Sequence, residues 1–327
     1  MAWCAAAQAP KVGDINVYGA RKVNADRLLK AAGVESGGAL PGSKGDLEEK
    51  LEAFPGVVAA RVEAICCDGP NAVLFVGIEE RGAAHFDTRP PAVGSAVLPD
   101  ELTADYREFL SVVERAARAG AAAEDYSTGE PRMTDPVARA FEGRFAKFAA
   151  ENLELLREVL RDGSEADHRA VAASVIGYAA KKDQVLNDLQ YALQDADESV
   201  RANAARSLKA IAVLAQKRPE LGLRVQPTWF VEMLNSLVLS DRQQAAEALL
   251  ILTDRDNTAA LELIRERALP ALIEMARWKT LRYALPPFLL VGRIAGVPDR
   301  DLQAQWQAGD RESAIKKASA PPPKPRK

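Results

Sequence analysis

One pattern recurs through the second half of this chain and limits its fold more than any other feature: arginine, two small residues three and four positions on, then a large apolar residue. It reads Arg169-Ala172-Ala173-Ile176, Arg201-Ala204-Ala205-Leu208, Arg242-Ala245-Ala246-Leu249 and, more loosely, Arg282-Leu285-Pro286-Leu289. The arginines stand 32, 41 and 40 residues apart. Residues 185–214 show one unit in full. Leu186, Leu189, Ala192 and Leu193 stripe a first helix, and Val200, Ala204, Ala205, Leu208 and Ile211 stripe a second. Both follow the i, i+3/i+4 spacing of an amphipathic helix. Asp195, Asp197, Glu198 and Ser199 between them supply turn and N-cap chemistry. Two helices repeating at a period of about 40 residues predict an α-solenoid, in which each unit buries its apolar face against the next copy and none folds alone.

The stretch Asp195-x-x-x-x-Val200-Arg201-x-x-Ala204 resembles the second-helix motif of HEAT repeats, and the likeness extends over residues 153–310 in about four units. The resemblance implies structural roles for Arg169, Arg201, Arg242, Arg282 and Asp195, with each arginine tying adjacent units together through carboxylates or carbonyls. The competing reading of the four arginines is an anion-binding ladder. The copies are not uniform. Asp162 lies seven residues before Arg169 rather than six, and Ser236 and Ala276 stand six before Arg242 and Arg282. Pro286-Pro287 falls inside the last second helix, which is expected to kink or shorten there and to cap the stack. Trp229 and Trp278, near unit boundaries, are candidate partner-binding residues, since tryptophan is favoured at binding surfaces as well as in cores.

Residues 11–82 read as a small β-α-α-β-β domain. A strand ends at Tyr18-Gly19, and a helix starts at the N-cap Asn24 and stops at Gly33. A second helix covers 46–54, and strands at 57–66 and 72–79 flank the turn Asp68-Gly69-Pro70-Asn71. Ile15, Val17, Gly19, Leu47, Leu51, Phe54-Pro55-Gly56-Val57, Val76, Ile78, Glu80 and Arg81 resemble the pattern of a polypeptide-transport-associated (POTRA) domain. That resemblance implies an extracytoplasmic protein-binding module able to add a partner's strand to a sheet edge. Within residues 1–10, Ala7-Gln8-Ala9 fits a signal-peptidase site, so the segment reads either as a signal-peptide remnant or as a frayed terminus. A periplasmic or otherwise extracytoplasmic location is expected, with the cytoplasm as the alternative. Cys66-Cys67, at a strand end, reads as a structural pair, because neighbouring cysteines bridge each other only with strain; the outward thiol could pair with Cys4 or with another chain.

Residues 83–152 read as a linker with docking helices. Thr88-Arg89-Pro90-Pro91 breaks regular structure, a helix spans 102–119, and an acidic exposed loop covers 124–131. Thr134-Asp135-Pro136 then opens a helix expected to continue through Phe141, Phe145, Phe148, Leu156 and Val159 to about Arg161, its aromatic stripe serving as packing core. Residues 311–327 read as a basic proline-rich tail expected to be disordered.

The fold class expected is therefore mainly α, a HEAT-type superhelix preceded by a small α/β domain. Two histidines 83 residues apart and three cysteines leave no set of metal ligands. Phosphate-cradling loops and nucleophile elbows are absent, and no apolar run reaches the roughly 20 residues of a membrane span. The expected function is a non-catalytic protein–protein interaction scaffold of the cell envelope that uses no cofactor and binds a protein partner. Two rivals remain. A HEAT-like lyase would act on a bilin chromophore. A nucleic-acid-binding HEAT protein would need a basic face, which the net charge of −3 opposes.

Overall fold

The computed structural model describes residues 10–65, 71–255 and 257–320. The candidate signal remnant to residue 9, Cys66-Cys67 and the part of the expected tail from 321 on lie outside the described residues, while Glu312–Ser319, expected within the disordered tail, form a helix that buries Ala314, Ile315 and Ala318. The chain begins β1 (Lys11–Tyr18), α1 (Ala25–Ala32), α2 (Lys44–Glu52), β2 (Val57–Ile65), β3 (Asn71–Glu80) and α3 (Asp100–Arg118). Two short strands follow, β4 (Glu124–Asp125) and β5 (Arg132–Met133), then α4 (Pro136–Glu151), α5 (Leu153–Asp162), α6 (Ala166–Ile176), α7 (Lys182–Ala192) and α8 (Glu198–Lys217). The remaining helices are α9 (Thr228–Met233), α10 (Leu239–Leu252), α11 (Thr258–Arg267), α12 (Leu269–Ala276), α13 (Leu281–Ile294), α14 (Asp299–Gln307) and α15 (Glu312–Ser319). They form two compact units. The first holds the described residues up to Phe86, Leu234–Gln243 and those from Leu261 on; the second holds Asp87–Met233 and Gln244–Ala260.

In the first unit the β-α-α-β-β order makes a three-stranded sheet, β1-β3-β2, with β1 parallel and β2 antiparallel to the central β3. Strand side chains alternate between faces. Leu74, Val76 and Ile78 point with Val62 to the face where Leu28, Leu47 and Leu51 of α1 and α2 bury them. The other face is covered as well. Tyr18 and Phe75 are fully buried, and their rings lie 5.7 and 5.1 Å from that of Trp278. Asn16 beside them accepts from Lys279 N at 2.8 Å and donates to Thr280 Oγ1 at 3.2 Å, holding the start of α13. At Gly77 a Cβ would stand 2.5 Å from the Tyr18 ring, so only glycine admits that ring against β3. Cover on both faces explains why 72–78 is apolar throughout instead of alternating. The sequence reading assigns 11–82 to a domain of its own, whereas the contacts group these strands with helices from more than 180 residues later.

Pro286 and Pro287 do not shorten their helix. Both lie inside α13, which runs 14 residues instead of stopping at them. Each removes one helical hydrogen bond, but Ala284, Pro287, Phe288 and Val291 are buried where α13 packs on α12, α14 and α15, and burial of this kind overrides intrinsic preference.

The second unit is built on a two-layer ladder: α5 packs on α6 and α7, while α8 packs on α6 and α7. The single helix expected from Thr134 to Arg161 is two. α4 and α5 are separated by Asn152, whose backbone (φ −132°, ψ 36°) is not helical. The two segments serve different neighbours: α4 carries Phe141 and Phe145 to α3, and α5 joins the ladder. The expected linker is also docked. Arg89 N donates to Gln194 O at 2.7 Å, Ser164 N to Gly94 O at 2.9 Å and Leu98 N to His168 Nδ1 at 2.8 Å, so the segment runs along the turns that precede α6 and α8.

Candidate interaction surface

The repeat arginines come first, because they decide what the ladder can offer a ligand. Arg169 Nη1 donates to the carbonyls of Gly163 (2.9 Å) and Ser164 (3.0 Å), and its Nε and Nη2 both reach the Asp195 carboxylate at 2.9 Å. Arg201 Nη1 donates to the carbonyls of Asp195 (2.8 Å) and Ala196 (3.0 Å), and Arg242 Nε to that of Ser236 (2.5 Å). All three reach the carbonyl six residues earlier, which is a backbone feature. That is why the residue type there can drift from Asp195 to Gly163 or Ser236. Asp195 spends its side chain elsewhere: besides Arg169 it accepts from Asp197 N at 2.9 Å and so links one turn to the next. Hydrogen bonding to Asp195, outweighing burial, raises the Arg169 guanidinium above its ordinary range.

Arg282 departs from this arrangement. It is exposed, and its guanidinium carbon stands 4.9 Å from the Tyr283 ring centroid. The carbonyl six residues before it, Ala276 O, accepts instead from Arg311 Nη1 at 2.8 Å, and the same nitrogen reaches Trp278 O at 2.7 Å. In the last unit the bonding role thus falls to Arg311, from a later helix junction that the repeat pattern does not mark. Trp278 is likewise corrected. At 3% exposure, between Tyr18 and Phe75, it is packing core and presents nothing to a partner. Trp229 is half-buried.

In the second unit α3 lies on α4 and α6. Tyr106 and Phe109 meet Phe145 with ring centroids 6.1 and 5.4 Å apart, and Phe145 meets Tyr178 at 6.0 Å, so the aromatic stripe is core. Beside this seam runs a groove of about 540 Å³. Tyr106 and Leu110 of α3, His168 and Val171 of α6, and Ala202 and Asn203 of α8 line it. Asn203 Nδ2 donates to Tyr106 Oη (2.9 Å) and to Ala170 O (2.8 Å), which fixes the floor. Burial raises the Tyr106 phenol above its usual value, against the bond from Asn203, so it stays neutral. His168 Nδ1 accepts from Leu98 N, so the neutral ring carries its proton on Nε2. Leu110 is 48% exposed, and Arg107, Glu165 and Asp167 mark the rim.

Residues 124–131, expected to be an exposed connector, are held down by a polar cluster that sequence reading missed. Gly129 and Pro131 are buried, and Arg206 pairs with Glu124 and donates to Pro131 O at 2.9 Å. Glu142, buried at the centre, accepts from Met133 N at 2.9 Å; burial pushes its carboxyl up, against that bond and Arg206. Lys182 donates to Gly177 O and Ala179 O, both at 2.8 Å, and lies 3.5 Å from Glu130. Burial pushes its ammonium down to about 8, against the Glu130 charge. The acidic composition of the loop was the available signal: charge that looks solvated from one segment is paired by helices 50–80 residues later.

No helix among the described residues is long and apolar enough to cross a membrane. No curated protein matches the chain. Residues 153–250, from the start of α5 into α10, match the family model for HEAT repeats.

Proposed function

We propose that the chain is a non-catalytic protein–protein interaction scaffold, and that the groove between α3, α6 and α8 seats the partner. The observation that carries this reading is the groove itself. It lies on the second helices of the HEAT-like stretch, a repeat type commonly used as an interaction scaffold, and mixes an exposed Leu110 with bonded polar groups. The occupant that fits is an amphipathic helix of the partner. Its apolar face would cover Leu110, Val171 and Ala202, and a basic residue would reach Glu165 and Asp167 on the rim. Photo-cross-linkers placed at Leu110 and at Ser199 of the full chain are expected to capture the same partner. Ala202→Arg should abolish both captures while leaving the melting temperature unchanged. Capture that survives Ala202→Arg would reject the groove.

The sheet of the first unit supports a POTRA-like reading through its element order, and with it a place in the cell envelope. Strand addition at β2 would need its edge to be vacated. The outward N–H groups of Ala60 and Val62 are taken by Glu52 Oε1 (3.0 Å) and Glu48 Oε1 (2.7 Å). Fractionation of the source cells tests the location: recovery of the protein only with cytoplasmic markers would sink it.

A further inference from the structure

A second concavity, unconnected with the partner groove, lies wholly inside the first unit. Its volume is about 240 Å³, and its lining carries five basic side chains, Arg21, Lys22, Arg81, Arg242 and Arg267, against two acidic ones, Glu79 and Glu80. One of these acids is already engaged. The Glu80 carboxylate accepts from the backbone N–H groups of Arg21 (2.7 Å), Lys22 (2.9 Å) and Val23 (2.7 Å), which folds loop 20–23 into one wall. Burial works to raise this carboxyl, and the three N–H bonds outweigh it and hold it below the ordinary glutamate value. Leu237 and Pro270 give the lining an apolar part.

Arg242 sets this concavity apart from an ordinary surface cleft. The residue is 3% exposed, and its Nε donates to Ser236 O, the carbonyl position that Nη1 reaches in the units of Arg169 and Arg201. Its Nη1 has no hydrogen-bond partner among the described residues; Glu274 Oε2 stands 3.6 Å away, and the Tyr18 ring centroid lies 4.6 Å from the guanidinium carbon. Glu274 is shared, because it also accepts from Gly19 N (2.9 Å) and Arg21 Nη1 (3.2 Å). A buried guanidinium with an unmade bond beside a cationic, half-apolar concavity is under-compensated as it stands, and an anion supplies what is missing. Apolar lining penalises a heavily hydrated dianion, whereas a carboxylate on a short apolar body matches both the charge and the lining.

We propose that this concavity binds a carboxylate carried on a small apolar group, with Arg242 at its base and Lys22 and Arg81 at its mouth. The chemistry is shared by a free organic acid and by the C-terminal residue of a peptide. The test titrates the full chain with N-acetyl-leucine, N-acetyl-leucine amide, a tetrapeptide ending in free leucine, and inorganic phosphate, followed by amide NMR shifts at Gly19, Gly82 and Asn235. Saturable shifts with the acid, weakened at least about tenfold in the amide, are expected. Arg81 is exposed at the rim, so Arg81→Glu should leave the fold intact, checked by its melting temperature, and weaken the acid about tenfold or more. Tighter binding of the tetrapeptide upholds the proposal and assigns the site to peptide termini; equal binding upholds it and assigns the site to small acids. Equal binding of acid and amide, indifference to Arg81→Glu, or shifts with phosphate alone would overturn it.

Discussion

The two units bury their polar groups by different rules. In the second, the ladder of α5–α8 is stitched by interactions between neighbours in sequence: Arg169 reaches Asp195 in the next turn, and Arg201 reaches back to Asp195 O. In the first, the sheet is finished by residues from the far end of the chain, with Phe75 and Tyr18 packed on Trp278, and Asn16 holding Lys279 and Thr280. A repeat spreads its stability over adjacent copies, whereas a sheet covered on both faces stakes it on two long-range layers. Damage to the ladder should therefore stay in its own neighbourhood, and damage to the aromatic layer should loosen residues more than 180 positions apart.

Five experiments sharpen or break that contrast. The largest effect is expected from Asp195→Ala, which leaves the buried Arg169 guanidinium without its carboxylate; urea unfolding should show a loss of about 3–5 kcal/mol. Phe75→Ala should cost a similar amount, about 3–5 kcal/mol. Hydrogen exchange then separates the two. Asp195→Ala should deprotect α6 and α8, and Phe75→Ala should deprotect β3 together with α13. Protection lost uniformly over the whole chain in both variants would refute the distinction.

Lys182 provides a pH test inside the second unit. Its folded value of about 8 lies below the ordinary 10.5. Between those values the unfolded chain binds more protons than the folded one, so stability rises with pH across the window, by up to about 3 kcal/mol. This contribution should be missing from Lys182→Met. A wild-type slope indistinguishable from that of the variant between pH 8 and 10 would remove buried Lys182 as its source.

A smaller effect tests the last unit. Arg311→Ala forfeits two buried carbonyl acceptors and should cost about 1–3 kcal/mol, while Arg282→Ala should stay within about 0.5 kcal/mol. Equal losses would restore Arg282 to the repeat role that its position suggests. The smallest change in folding stability is expected from Glu48→Ala with Glu52→Ala. Uncovering the N–H groups of Ala60 and Val62 should instead appear as concentration-dependent self-association in sedimentation, and a monomer at all concentrations would show that the edge has other protection.

Much of the fold was legible. The β-α-α-β-β order followed from strand runs, from the cap Asn24 and from the stop at Gly33, all of which act within a few residues. The run 72–78 also held a signal for the second cover of the sheet, since an alternating strand would have had polar residues on one face. The groove was not legible, because α3, α6 and α8 contribute to it from three segments whose periodicity says only that each has a buried side. The break at Asn152 was hidden for a related reason: the aromatic and leucine stripes on either side continue one helical phase, and only their different neighbours separate them.

The sequence by itself determined the helical repeat, the arginine that recurs in it and the small α/β fold at the N-terminal end, because spacing, capping and turn chemistry are local properties of the chain. The tertiary structure alone decided that Trp278 is core, that Arg311 takes the position left by Arg282, that the 124–131 segment is pinned by Arg206 and Lys182, and that Arg242 faces a concavity with a bond unmade. Each of those depends on which distant groups meet in space, and burial and charge compensation are set by that meeting, whatever the order of residues along the backbone.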